Sequence, residues 1–265
     1  MLKLLGIPFD GNSSFLRGPA LAPARIRLME TEGSANMFCE AGMEFVPGKD
    51  YLDMGDLIVT GLGPEALYRS IKQKIKEELH PDHKLICFGG DHSISFPVIE
   101  AYAQHVPGLN VLLLDAHADL YDNFDNNPYS HASPFARLME KNIVSSLTQV
   151  GIRTLNTHQR EQARRFGVNI VEMKNFGPDF IRKLKSPLYI SLDLDVLDPA
   201  FAPGVSHHEP GGMTTRELLR IIQSIPFSIA GADIVEYNPT RDLNNATAMV
   251  AYKLFKELLY LMQKK

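Results

Sequence analysis

Val111–Asp122, VLLLDAHADLYD, is the stretch that most limits what this chain can fold into. Four apolar residues lead straight into Asp115, His117 and Asp119, spaced two apart. If the backbone stays extended past the apolar run, the three side chains leave on one side. Carboxylates crowded in a dry site repel one another, so such convergence calls for a compensating cation. A second comb, SLDLDVLDP at Ser191–Pro199, carries Asp193 and Asp195 behind the apolar Leu188–Leu192. A third piece, GGDHS at Gly89–Ser93, places His92 behind Leu85–Phe88. Each reads as a buried strand whose C-terminal end bears metal-type ligands. Four carboxylates and two imidazoles (Asp115, Asp119, Asp193, Asp195, His92 and His117) are too many for one ion and suit two.

The remaining strand candidates are Leu2–Ile7, Leu147–Ile152, Asn169–Val171 and Phe227–Asp233. Like the first three they lack polar alternation, as strands covered on both faces do. Leu67, Ile71, Ile75 and Leu79 recur every fourth residue behind Pro64, which predicts a helix opened by proline. Thr215–Ile225 and Ala246–Met262 also read as amphipathic helices. Strand–helix alternation implies a mostly parallel sheet with right-handed crossovers, binding ligands beyond the carboxyl ends of its strands. Asp10–Arg17 and Asn123–Tyr129 are polar, turn-rich loops, and Gly33–Gly48 reads as a surface loop. Gly61-Leu-Gly63 after the strand-like Asp56–Thr60 is a loose dinucleotide fingerprint. Pro64 removes a backbone donor there, so an ordinary helix start is preferred. No repeat, low-complexity tract or linker interrupts residues 1–265, which predicts one domain.

A chain of 265 residues with 45% hydrophobic content can bury a large α/β core. A net charge of −4 and a pI of about 6.1 speak against nucleic acid and anionic membranes as partners. No apolar run approaches the ~18 residues of a membrane span, and Leu2–Ile7 is too short for a signal peptide. Cys39 and Cys87 give no disulfide framework, which suits a reducing cytoplasm.

Oxygen-rich ligation with some imidazole favours manganese over a thiolate zinc site. Two ions ~3.5–4 Å apart can share a water and lower its pKa, which makes hydroxide, not a side chain, the expected nucleophile. No nucleophile-elbow serine competes with it. A single Asp is more often a helix cap or turn acid. D-x-H-x-D, D-x-D and GGDH, each behind an apolar run, point instead to a metal site.

These motifs, with SHASPF at Ser130–Phe135, EPGG at Glu209–Gly212 and GADIVEYNP at Gly231–Pro239, resemble the ureohydrolases, the family that includes arginases and agmatinases. The likeness spans nearly the whole chain. It is strongest to plant-type arginases, through NSSFLRGPALAPARIR at Asn12–Arg27, YSHASPFARLME at Tyr129–Glu140 and GVSHHEPGG at Gly204–Gly212. The resemblance implies a three-layer α/β/α fold around an eight-stranded parallel sheet, and two manganese ions. One ion would take His92, Asp115, Asp119 and Asp193; the other would take Asp115, His117, Asp193 and Asp195. It further implies attack on a guanidinium carbon, release of urea and an amine, and assembly as a homo-oligomer, a trimer or hexamer.

By position, Glu236 matches the family's guanidinium-binding carboxylate and His131 its proton-shuttling histidine; with Asp119 they form the expected catalytic set. A planar cation is best held by a carboxylate, and an imidazole titrating near neutrality suits proton transfer to a departing amine. For the far end of the substrate the expected contacts are Asn127, Asn156 and His207, with Asn12, Ser13 and Asn126 as further donors. Asn156 stands where animal arginases carry an acid that helps bind the α-amine. His207 and His208 fall where many relatives carry threonine and proline. Asp91 and Asp198 are read as acids that orient ligands and backbone. L-arginine hydrolysis to L-ornithine and urea is the expected reaction. Agmatine hydrolysis, another guanidino or formimino substrate, and a non-catalytic binding role on the same scaffold are the alternatives. Single-zinc amide hydrolysis is disfavoured by the double comb.

Overall fold

Every apolar run expected to be a strand lies in or beside one in the computed structural model, which describes residues Met1–Lys264; Lys265, the last residue of the expected domain, lies outside the described residues. The strands are β1 (Leu2–Ile7), β2 (Tyr51–Asp56), β3 (Lys84–Gly89), β4 (Asn110–Leu114), β5 (Ser146–Ile152), β6 (Asn169–Glu172), β7 (Leu188–Asp193) and β8 (Gly231–Val235). They form one sheet in the order β2-β1-β3-β8-β7-β4-β5-β6, with every pair parallel.

The strands' period of two distributes side chains to two cores. Leu4, Phe88, Leu112 and Ile190 point into one, and Leu5, Cys87, Leu113 and Tyr189 into the other. Helices α1 (Ala22–Thr31), α6 (Thr215–Ser224) and α7 (Ala246–Gln263) cover the first face. Helices α2 (Pro64–Glu78), α3 (Ser95–His105), α4 (Pro134–Glu140) and α5 (Thr157–Phe166) cover the second. The three-layer α/β/α expectation therefore holds. Gly63 caps α2 and Pro64 opens it, so the loose glycine fingerprint is a helix start.

Three local expectations need correction. The strand-like stretch expected at Asp56–Thr60 shares only Asp56 with the edge strand β2 (YLDMGD), which is polar and mostly exposed; Asp53 and Asp56 are satisfied by Arg27 of α1. Strand β8 begins at Gly231, not Phe227. A Cβ on Gly231 would lie 2.4 Å from the Tyr102 ring, so only glycine lets the strand pack there. The third correction concerns the combs. Strand β4 ends at Leu114, and the chain turns so that Asp119 takes φ 49°. Strand β7 ends at Asp193 and enters a 3-10 turn over Leu194–Val196. A fully extended comb would space its ligands ~6.8 Å apart in a row; the turns curl them around a point. The carboxylates help make those turns: Asp115 Oδ1 accepts the His117 amide at 2.6 Å and Asp193 Oδ1 accepts the Asp195 amide at 2.8 Å.

The four central strands β3, β8, β7 and β4 are neighbours, and their carboxyl ends carry His92, Glu236, the Asp193–Asp195 pair and the Asp115–Asp119 loop respectively. The sheet order, not proximity in sequence, assembles the site.

Candidate metal centre and active site

His92 sits in a cage of carboxylate oxygens. Its Nδ1 lies 3.2 Å from Asp115 Oδ2, 3.1 Å from Asp119 Oδ2 and 3.2 Å from Asp193 Oδ2. On the other side of the ring, Nε2 lies 3.0 Å from Ser191 Oγ, whose own hydrogen goes to the buried Asp233 at 2.7 Å. Ser191 therefore accepts from Nε2–H, which leaves a lone pair on Nδ1 facing three oxygens. His92 Nδ1 and Asp115 Oδ2 are buried without an aligned hydrogen bond. Four electron-rich atoms converging without a hydrogen between them fit a hard or borderline cation. The crowding also shows in the titration of the group. Burial pushes Asp115 up to about 6, helped by Asp195 and Asp119. Burial and then Asp195 and Asp115 raise Asp193 well above the carboxylate range.

A second group lies beside the first. Asp115, His117 and Asp195 bring their ligand atoms within metal-binding reach of one another. His117 Nδ1 is 2.9 Å from Asp195 Oδ2 and 3.6 Å from Asp115 Oδ1. Burial would raise the Asp195 carboxyl, but the neighbouring His117 outweighs it and holds it below the usual range. Asp115 faces one oxygen to each group. Asp193 faces Oδ2 to the first, while its Oδ1 takes the Asp195 amide.

Glu236 follows β8 at φ 62°, a conformation that a non-glycine residue adopts only where its surroundings enforce it. Here its amide donates to Gly90 and its Oε1 accepts from the His92 amide and from His131 Nδ1, each at 2.8 Å. Its Oε2 is buried and has no partner among the described residues. Burial works against a charge on His131, but Glu236 outweighs it and pushes the imidazole up to about 9, with Asp91 and Asp119 adding to the effect. His131 Nε2 meets the Ser14 amide at 3.1 Å and Ser14 Oγ at 2.8 Å.

These side chains open onto a cleft of about 190 Å³. His207 lines it, its ring 5.3 Å from that of His131, 5.7 Å from that of His117 and 5.5 Å from that of Phe15. Burial and the neighbouring His131 depress its pKa, which favours the neutral imidazole. His208 is exposed and bonds the Pro203 carbonyl. Asn156 does not line the cleft. It caps α5, accepting the Gln159 amide, and its Nδ2 bonds Tyr121. Asn127 lines a neighbouring cavity and bonds Asn12, whose own amide is held by Asp91. Asn126 occupies a tight turn at φ 59°. Asp198 accepts three backbone amides, from Ala200, Gly211 and Gly212, and is a turn acid.

Sequence reasoning missed Ser14, Thr154, Gln159 and Glu209 on the cleft wall, and Arg153 behind it. Gln159 is 3% exposed and its Oε1 has no partner among the described residues. The only sequence signal for it is its place in the first turn of a helix that starts beside the sheet's carboxyl edge.

The Arginase family model matches residues 2–260. The mitochondrial arginase 1 of Arabidopsis thaliana is 46% identical over 97% of this chain and 79% of its own length. An agmatinase of Bacillus cereus is 31% identical over 97% of this chain and 90% of its own. The structure of the arginase from Medicago truncatula superposes with a TM-score of 0.92 at 41% identity, covering 98% of this chain and 87% of the other. With candidate metal-ligand groups at the carboxyl ends of β3, β7 and β4 and a likeness that runs nearly end to end, the chain belongs to the arginase family.

Proposed function

We propose that this protein is a manganese-dependent hydrolase that converts L-arginine to L-ornithine and urea, with His92, Asp115, His117, Asp119, Asp193 and Asp195 holding two ions. The observation that carries the reading is the unpartnered Oε2 of Glu236, buried beside the cage and facing the same cleft. A buried carboxylate oxygen without a donor is a site for a planar cation. When bound, the ions supply Lewis acidity that makes water nucleophilic at neutral pH. The chain's own residues do the rest. Glu236 orients the guanidinium, its carboxylate fixed by the His92 amide and His131. His131 holds a proton within the cleft for the departing amine. His207 packs beside His131 on the cleft wall.

Agmatine is the second reading, on a specific observation. The side-chain amides of Asn12, Asn127 and Asn156 already donate to Ser93, Asn12 and Tyr121, which leaves few donors for an α-carboxylate. Paired kcat/KM values for arginine and agmatine, with urea followed in manganese, test the choice. A preference for agmatine of about tenfold, ~1.4 kcal/mol, would overturn the arginine assignment. Formamide release from formiminoglutamate, measured alongside, tests the remaining alternative. The single domain, a homo-oligomeric state and a cytoplasmic location belong to the same proposal. Both cysteines are free and buried, and among the described residues no helix is long and apolar enough to cross a membrane.

A further inference from the structure

His131 has a transport problem. Its side chain is buried, with 7% of the residue exposed, and both ring nitrogens are engaged. Nδ1 is committed to Glu236 at 2.8 Å. Any proton that His131 exchanges with solvent must therefore leave through Nε2, and the atom facing Nε2 is Ser14 Oγ at 2.8 Å. Ser14 is exposed, and it lines two cavities at once. One is the cleft. The other, of about 270 Å³, opens beside it between the Asp10–Arg17 and Asn123–Tyr129 loops and is lined by Ser13, Arg17, Asp125 and Asn127.

We propose that Ser14 relays protons between His131 and the outer cavity, which makes it a positioning residue for the proposed reaction; the inference rests on the reading of His131 as a proton carrier. The observed contacts suit the neutral ring, and in the charged ring the amide contact at Nε2 must open while the hydroxyl contact turns from donor to acceptor. A neutral His131 with its hydrogen on Nδ1 accepts at Nε2 from the Ser14 amide and hydroxyl. A charged His131 donates from Nε2 to the same hydroxyl oxygen. In the relay step the Nε2 proton passes to Oγ while the hydroxyl's original hydrogen passes to water in the outer cavity. The hydroxyl is restored and the imidazole is left neutral. Glu236, Asp91, Asp119 and His207 are the titratable groups around the ring. None of them offers an exit to the outer cavity, since Glu236, Asp91 and Asp119 are buried and His207 stands on the cleft side.

Ser14→Ala is a clean test because it keeps the backbone amide and removes only Oγ. Steady-state kinetics in dilute buffer, for wild type, Ser14→Ala, Ser14→Thr and His131→Ala, would read the relay. Ser14→Ala should lower kcat about tenfold, a part of the ~10²–10⁴-fold that a proton-transfer group contributes, with KM little changed. Added imidazole should restore it, and Ser14→Thr should keep the wild-type rate. Wild-type kcat for Ser14→Ala in dilute buffer would overturn the relay. So would a loss that neither imidazole nor threonine repairs, since that marks a merely structural serine. His131→Ala turning over like wild type, or wild type releasing no urea with manganese, would strike the reading beneath and the relay with it.

Discussion

Arg153 Nη2 donates to the backbone carbonyl of Asp195 at 2.6 Å, tying the segment just after β5 to the turn after β7. The same guanidinium reaches the carbonyls of Gly151, Val196, Leu197 and Glu209. It therefore fixes the backbone that aims the Asp195 carboxylate and the loop that carries Glu209 and His207. Arg153→Ala would leave several part-buried carbonyls unsatisfied, each costing about 1–3 kcal/mol if water cannot reach it. We expect lower stability in urea and weaker metal retention at the His117 group. Arg153→Lys should recover little, because one ammonium cannot reproduce a planar fork. Equilibrium unfolding and metal analysis of the two variants would decide it; a lysine variant equal to wild type would count against the hub.

Asp115 is the residue whose loss should be felt by both metal groups, since Oδ2 faces His92 and Oδ1 faces His117. Asp115→Ala should empty both, whereas His117→Ala should spare the His92 cage. Metal content per chain after dialysis would separate the two. Chelation of wild type should also lower the melting temperature, because a bound cation stabilises the folded state that offers the site. A chelator-insensitive melting temperature would contradict the cage.

Glu236→Gln keeps the size of the side chain and removes the charge that would face the substrate cation. Breaking a buried charged pair commonly costs ~3–5 kcal/mol, so kcat/KM should fall steeply for every guanidino substrate. A fall confined to one substrate would move Glu236 from the guanidinium to the far end.

The His131–Glu236 pair also predicts a pH dependence. The folded pKa of His131 is raised to about 9, above the ~6.5 of an unfolded histidine. Its stabilising contribution is therefore complete below about pH 6.5 and is lost as pH rises through about 9. The excess melting temperature of wild type over Glu236→Gln should be level near pH 6 and shrink on the alkaline side. An excess that grows with pH would reverse the assignment.

The candidate metal ligands were legible because each stands within a few residues of an apolar run, and β3, β4 and β7 deliver them in short segments. The geometry that joins them was not, since an extended comb and a curled one share the same spelling. Asp119 at φ 49° takes a left-handed turn that aspartate tolerates but that the spacing of the comb does not announce. Strand β2 escaped because its pattern is that of a solvated edge. Asn156 carried a readable signal, an asparagine just before a helix, and that role outweighs substrate binding. Ser14, Arg153 and Gln159 are brought to the site by loops and a helix far along the chain, and no spacing rule reaches across such separations.

Gln159 gives the last test. Its Oε1 is buried in the cleft wall with no donor among the described residues, a costly state unless a ligand supplies one. The chemical match is an ammonium group, which arginine and agmatine both carry and guanidinobutyrate lacks. Gln159→Leu should therefore lower kcat/KM for arginine and agmatine by about tenfold, ~1.4 kcal/mol, and leave guanidinobutyrate turnover, however slow, unchanged. Because α5 is capped by Asn156 through the Gln159 amide and not its side chain, the helix should survive the substitution. An equal loss on all three substrates would make Gln159 a packing residue of the cleft, and no loss on any would place the substrate's amine elsewhere.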